Sequence, residues 1–226
     1  TLRMDRDTTS KKNSHEQILE SFGRGDADIL IGTQMIVKGH DFSRVTLVGV
    51  LLADLTLFSG DYRAGERTFD LLTQAAGRAG RGDVPGKVVI QTYKPDNYAI
   101  TAAASQDYRA FYDIEEAYRS LMRYPPEWNM MVIMGAGMDE EQLANIMDRM
   151  YSLIRGKYIN AGHLSVIGPS EPAISKIKDV YRRVLYIKHR DYRMLVDVKD
   201  YVEEWLKENG ENDVSVFFDL NPVNMY

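Results

Sequence analysis

The chain contains no cysteine, which excludes a disulfide framework and any thiolate zinc site within its 226 residues. Long apolar runs are missing too. None approaches the roughly 18 residues of a membrane span, and the N-terminus has no leader-peptide pattern, so no membrane partner is expected. There is no Gly-x-x-x-x-Gly-Lys-Ser/Thr phosphate loop. Gly86-Lys87 is a decoy, because Val88 follows it and Arg81 stands where the first glycine is needed. The four histidines, His15, His40, His163 and His189, do not cluster, so no metal site and no Ser-His-Asp arrangement is expected. A basic excess is also lacking. The net charge of −5 argues against nucleic-acid binding over the whole surface, although averages hide patches.

What the chain does have is Gln74-Ala-Ala-Gly77-Arg78-Ala-Gly80-Arg81-Gly82. This stretch sets two guanidinium groups three residues apart at the end of an expected helix. Each guanidinium is permanently charged and offers a planar fork that matches phosphate oxygens, which suits charge developing during phosphoryl transfer. The residues alone leave a basic, Gly-rich turn open as the alternative. A second stretch, Asp28-Ile-Leu-Ile-Gly32-Thr33-Gln34-Met35, reads as a buried strand entering a turn, followed by Lys38-Gly39-His40-Asp41-Phe42 and an apolar run to Leu52.

Apolar runs at 28–32, 45–52 and 87–92 are continuous, as expected for parallel strands covered by helices on both faces. Ser14-His-Glu-Gln17 has a capping-box pattern and opens a short helix that Gly23 and Gly25 stop. Residues 97–123 read as helical, with Phe111, Ile114, Ala117, Tyr118 and Leu121 as a packing stripe, and Pro125-Pro126 ends the helix. The expected fold is therefore α/β. Its parts are a motor-like parallel layer over 1–105, a helical linker over 106–126, and a small α+β domain over 127–226.

In that last region the pattern is strand, helix, strand, strand, helix, strand. The strands are expected at Met130–Met134, His163–Ile167, Tyr181–Lys188 and Val214–Leu220, and Asp139 and Gln142 cap the first helix. Asp139-Glu-Glu-Gln142 resembles a helicase carboxylate box only superficially, since it opens a helix. Residues 174–193 hold seven Lys/Arg against two acids, interleaved with Tyr181, Tyr186 and Tyr192. Lys176, Lys178, Arg183, Lys188 and Arg190 are the candidate nucleic-acid contacts. Alternation along a strand allows only one of Arg182 and Arg183 to face a ligand, and Arg183 shares its face with Tyr181. A solvated strand face is the alternative.

The order and wording of the first-region motifs resemble motifs V and VI of superfamily-2 helicases, and within that superfamily the primosomal replication-restart helicases. The resemblance is dense over residues 1 to about 95. It rests on Arg3-Met-Asp5-Arg-Asp7-Thr8-Thr9, the Gly32-to-Phe42 run, Leu47-Val-Gly-Val, Ala53-Asp54, Asp61-Tyr-Arg63-Ala-x-Glu66-Arg67-Thr68-Phe69 and Gln74-to-Gly82. It is looser beyond Pro126, where Ile167-Gly168-Pro169 and the Tyr181-Arg182 strand carry it. Read this way, the chain, which opens at Thr1 directly into a strand, is a fragment of a longer protein that begins after a cysteine-rich zinc module.

The resemblance implies a RecA-like second motor lobe followed by a domain that binds branched DNA. ATP and Mg²⁺ would bind between two lobes of the full-length protein, with no cofactor held by this part alone. Arg81 would approach the γ-phosphate with Arg78 sharing that role and Gln74 positioning the pair; Gly39 and Asp41 would line the nucleotide cleft; Gly32, Thr33 and Gln34 would touch DNA phosphates. Branched and single-stranded DNA, single-stranded DNA-binding protein and primosome loading proteins are the implied partners, in a bacterial cytoplasm. The residues leave open the second lobe of an RNA helicase or remodelling motor, and a non-enzymatic nucleic-acid or protein-binding module.

Overall fold

The computed structural model describes residues 1–10, 13–37, 42, 44–80, 85–209 and 213–226, without the side chains of Met35 and Val37. Its contacts divide the chain into two compact units, Thr1–Glu115 and Glu116–Tyr226.

The first unit alternates strands and helices. Strand β1 (Leu2–Met4) pairs in parallel with β2 (Leu30–Gly32), across helix α1 (Ser14–Arg24). Strand β3 (Leu47–Val50) pairs in parallel with β4 (Lys87–Ile90), across helix α2 (Ala64–Ala76). Helices α3 (Tyr98–Ser105) and α4 (Tyr108–Leu121) follow, so the expected 97–123 helix is broken where Gln106 takes a left-handed conformation with φ of 54°. Phe69 and Leu72 of α2 pack with Ala99, Ile100 and Ala103 of α3 and Phe111 of α4, and Phe69 stacks on Phe111 at 4.4 Å.

The exposure of β3 and β4 and the start of α1 refine what the sequence implies. Among the described residues Val50 and Ile90 of β3 and β4 pack toward the helices, whereas Leu47 and Val89 on the opposite face are 60% and 48% exposed. A continuous apolar run cannot distinguish strands buried on one face from strands buried on two. Ser14 is not the cap of α1 but its first residue. The capping position is Asn13, left-handed at φ 67°, and its side chain makes no capping hydrogen bond.

The second unit follows the strand–helix pattern expected of it. Strand β5 (Asn129–Gly137) leads to α5 (Glu140–Lys157), then to β6 (Ser165–Ser170), β7 (Lys176–Ile177) and β8 (Val180–His189), then to α6 (Tyr192–Asn209) and β9 (Val214–Leu220). The antiparallel order is β6-β8-β5-β9, with β7 paired to β8. Asp139 caps α5 by accepting from the Gln142 N–H at 2.9 Å. The two-residue strand β7 is new. Lys178 and Asp179 both have positive φ, 46° and 66°, and close a tight hairpin onto β8. Leu143, Ile146, Met147, Met150 and Ile154 of α5 and Leu195, Val198 and Val202 of α6 are fully buried against Met131, Ile133, Leu185 and Ile187 of the sheet.

Both tryptophans, Trp128 and Trp205, lie in the second unit, so tryptophan fluorescence reports on that unit alone. Ile146→Ala should lower its stability by about 2–4 kcal/mol, a lost side chain plus the cavity it leaves. An unchanged fluorescence-monitored urea midpoint would show that this core is not close-packed.

Candidate functional site

In the first unit, polar motif residues gather at the C-terminal ends of β1 and β2. After β1, the Asp5 carboxylate accepts from the Thr8 backbone N–H at 3.0 Å and from the Asp7 N–H at 3.2 Å. Arg3 bonds it as well, and these contacts, led by the Thr8 backbone, hold its pKa below the ordinary value. Beside this turn, Gly32 pairs with Met4 so closely that a Cβ would lie 2.4 Å from the Met4 carbonyl oxygen. Thr33 and Gln34 follow it into solvent, opening a short 3₁₀ turn over Gln34–Val37. The Thr33 carbonyl accepts from the Ile36 N–H at 3.1 Å. Open polar groups beyond the carboxyl ends of parallel strands are where ligands of α/β sheets commonly bind.

The run that follows is anchored on its far side. Phe42 packs edge-on against Phe22 of α1 at 5.0 Å, and Arg44 donates to the Gly23 carbonyl at 2.9 Å. Just before these anchors, Gly39 and Asp41, with Lys38 and His40, lie outside the described residues.

The arginine segment is pinned more tightly. Helix α2 ends at Gly77, with Gln74 exposed on its last turn and Arg78 half-buried just beyond. Gly80 has φ of +72° and donates its N–H to the Val45 carbonyl at 3.0 Å. A Cβ on Gly80 would sit 2.4 Å from the Gly86 nitrogen, and one on Gly86 would sit 2.2 Å from the Gly80 nitrogen. The loop therefore closes as two backbones in contact, which only glycines allow. The Gly80 bond also joins the Gln74-to-Gly82 stretch to Val45, three residues beyond the Gly32-to-Phe42 run. Arg81 lies outside the described residues, immediately after this junction.

Two buried carboxyl groups were given no role by the sequence, Asp54 entering only through the Ala53-Asp54 motif and Glu115 not at all. Asp54, 3% exposed, accepts from Thr92 Oγ1 at 2.6 Å and from the Tyr93 N–H at 2.9 Å, and the Thr92 bond leads in lowering its pKa. It ties the loop after β3 to the loop after β4. Glu115 accepts from the Tyr98 hydroxyl beneath Gly65, where a Cβ would meet the same two groups at 2.5 and 2.7 Å.

In the second unit the expected basic patch does not form one surface. Residues 181, 183, 185 and 187 of β8 face the helices, so Arg183 shares a face with core residues Leu185 and Ile187. Its guanidinium stands 3.9 Å from the Glu140 carboxylate with 24% of the side chain exposed. Arg182 is structural, as its guanidinium donates to the Ile174 carbonyl. Lys188 is not a solvated contact, being 5% exposed. It donates to the Met122 carbonyl at 3.1 Å and lies 3.5 Å over the Tyr124 ring. Lys176 bonds the Tyr181 hydroxyl and the Asp179 carboxylate, and with the exposed Lys178 it occupies the hairpin tip. Arg190 lies beyond the other end of β8, about 30 Å away along a ten-residue strand. Among the described residues no group of three His, Asp or Glu is arranged to hold a metal ion.

Comparisons agree with this division. Residues 2–83 match the family described as helicase conserved C-terminal domain, and residues 120–223 match the primosomal protein N C-terminal domain. The chain is 42% identical over 226 residues to the replication restart protein PriA of Bacillus subtilis, covering 99% of this chain and 28% of that protein. It is 34% identical to the protein of the same name from Synechocystis, with 99% and 26% covered, and 37% identical to that of Chlamydia trachomatis, with 100% and 30% covered. The chain thus spans less than a third of the length of these relatives.

Two predictions arise from this geometry. Gly80→Ala should destabilise the arginine loop, because a left-handed φ and a backbone clash coincide there; hydrogen exchange should speed up at the Gly80 amide while the second unit stays unchanged. Lys188 supplies a pH test. Burial, with the Arg123 charge adding to it, pushes its pKa down from 10.5 to about 8. Between pH 8 and 10.5 the unfolded chain holds a proton that the fold has released, so this residue's contribution shifts toward the folded state as pH rises through that window. Relative to Lys188→Met, the unsubstituted chain should gain about 2 kcal/mol between pH 8 and 10. Comparing the two proteins cancels the opposing effect of Tyr158, Tyr186 and Tyr226, whose pKa values are raised. A pH-independent difference would place the amine in water.

Proposed function

The chain belongs to the PriA replication-restart family, and from that premise we propose that it forms the second motor lobe and C-terminal DNA-binding unit of an ATP-dependent DNA helicase acting at stalled or branched forks. ATP and Mg²⁺ bind in the full-length protein at a phosphate loop contributed from outside this chain. Arg81 and Arg78 supply fingers to the γ-phosphate and Gln74 positions them, while Gly39 and Asp41 line the same cleft. Gly32, Thr33 and Gln34 contact strand phosphates, which fix the strand's position without reading its bases. In the second unit, Lys176, Lys178 and Arg190 remain available for DNA. Primosome assembly, with single-stranded DNA-binding protein and loading proteins as partners in the bacterial cytoplasm, is the process this motor serves, and zinc belongs to a module outside the chain.

The observation that carries the reading is the Gly80–Val45 junction with the Gly80–Gly86 approach behind it. It fixes the start of the arginine loop against the run that leads out of the strand-contacting turn. A backbone bond between the two segments supplies a physical connection through which nucleotide state can bias strand contact.

In the full-length protein, Arg81→Ala should lower kcat of DNA-stimulated ATP hydrolysis by ~10³ while nucleotide binding changes little, as for an arginine whose contact strengthens in the transition state. Equal loss of binding and turnover would make Arg81 a ground-state ligand. The 226-residue chain alone should show no DNA-stimulated ATPase; robust turnover by a clean preparation would refute the division of labour between lobes.

A further inference from the structure

At the open end of β8 the structure gathers positive charge that the sequence scatters. Arg123 ends α4 in a left-handed conformation, φ 57°, at a position that glycine usually fills. Its guanidinium lies 5.0 Å from the centroid of the Trp128 ring, and that of Arg190 lies 5.4 Å from the same centroid. Both arginines are exposed while Trp128 is 5% exposed. Neither has a carboxylate partner among the described residues. The neighbouring Asp191 carboxylate instead accepts from the Arg193 N–H at the start of α6. Lys188 adds a third, buried cation to this end.

We propose that Arg123 and Arg190, carried on Trp128, form a clamp for consecutive phosphates of a single nucleic-acid strand. The assignment rests on the reading above and gives that activity a specific contact. Two guanidinium carbons so near one centroid lie within about 10 Å of each other, a span that covers neighbouring phosphates of a strand with a charge every ~3.4 Å of rise. Arginine forks suit phosphate oxygens bidentately. The buried ring cannot stack on a base, so the clamp takes phosphates and ignores sequence. Cation–π contact holds each guanidinium in place before binding, which reduces the ordering cost of capturing a strand.

The test uses the 226-residue chain carrying Trp205→Phe, so that Trp128 is the sole tryptophan. An oligo-dT strand and an abasic strand of equal length should shift Trp128 fluorescence saturably and alike. Arg123→Ala/Arg190→Ala, with unchanged circular dichroism, should weaken strand binding roughly tenfold and flatten the log–log salt slope by about 1.4, two phosphates' worth. Unchanged affinity and slope for strands and forked DNA would overturn the clamp while leaving the helicase reading intact. No binding of any DNA by the unsubstituted chain would overturn the clamp too, whereas the helicase reading would still be judged by Arg81→Ala in the full-length protein. Equal displacement by charge-matched polyglutamate would overturn the phosphate assignment in favour of an acidic peptide.

Discussion

A β-strand has two faces, and in β8 both are occupied, a constraint that decides where the second unit can present charge. Leu185 and Ile187 are consumed by the helix-packed core. On the other face Val184 is fully buried, the Tyr186 hydroxyl donates to the Tyr226 carbonyl, and Lys188 is roofed by Met122 and Tyr124. Cations on such a strand must spend themselves on internal partners or sit at its ends. Arg182 and Lys188 donate to backbone carbonyls, Arg183 faces Glu140, and only the hairpin tip and the Arg123–Arg190 end are left facing solvent.

The first unit solves a different problem with glycine. If the segment after Gly80 carries its arginines to a polyanion, as proposed, its start has to be fixed or the entropy of ordering it offsets the benefit of the contact. Gly80 and Gly86 fix it by touching backbone to backbone. Each glycine is costly in conformational entropy, roughly 0.5–1 kcal/mol relative to alanine, and a side chain at either position would open the junction. The buried Asp54 does comparable work at the other end of β3 and β4, where a carboxylate with hydroxyl and amide donors replaces a close approach of chains.

Much of this fold was legible because periodicity reports burial directly. Leu143, Ile146, Met147, Met150 and Ile154 recur at helical spacing and all five are buried. What escaped was local or depended on distant partners. The hairpin at Lys178-Asp179 uses positive φ without glycine or asparagine, so the turn gives no sequence signal. Asn13, not Ser14, occupies the cap position, a shift of one residue that pattern reading does not resolve. Lys188 sits in a basic run and reads as solvated; its burial comes from Met122 and Tyr124, more than sixty residues away. The motor motifs were legible as wording, but the bond that unites two of them runs between the backbones of Gly80 and Val45 and leaves no trace in side-chain pattern.

An acidic chain of net charge −5 repels a polyanion at long range, so any strand contact must come from local arrangement. A mobile surface lysine is poorly suited to this, since it is well hydrated and loses rotamer freedom on binding. An arginine already resting on an aromatic ring has lost much of that freedom on folding and has shed part of its water. Arg123 and Arg190 rest on one ring without a carboxylate partner among the described residues, whereas at the hairpin tip Lys176, 4.4 Å over the Tyr181 ring, is already paired with Asp179. Of the two positive ends of β8, the one built on Trp128 is therefore the stronger anion-binding end, and its strength comes from preorganisation more than from charge count.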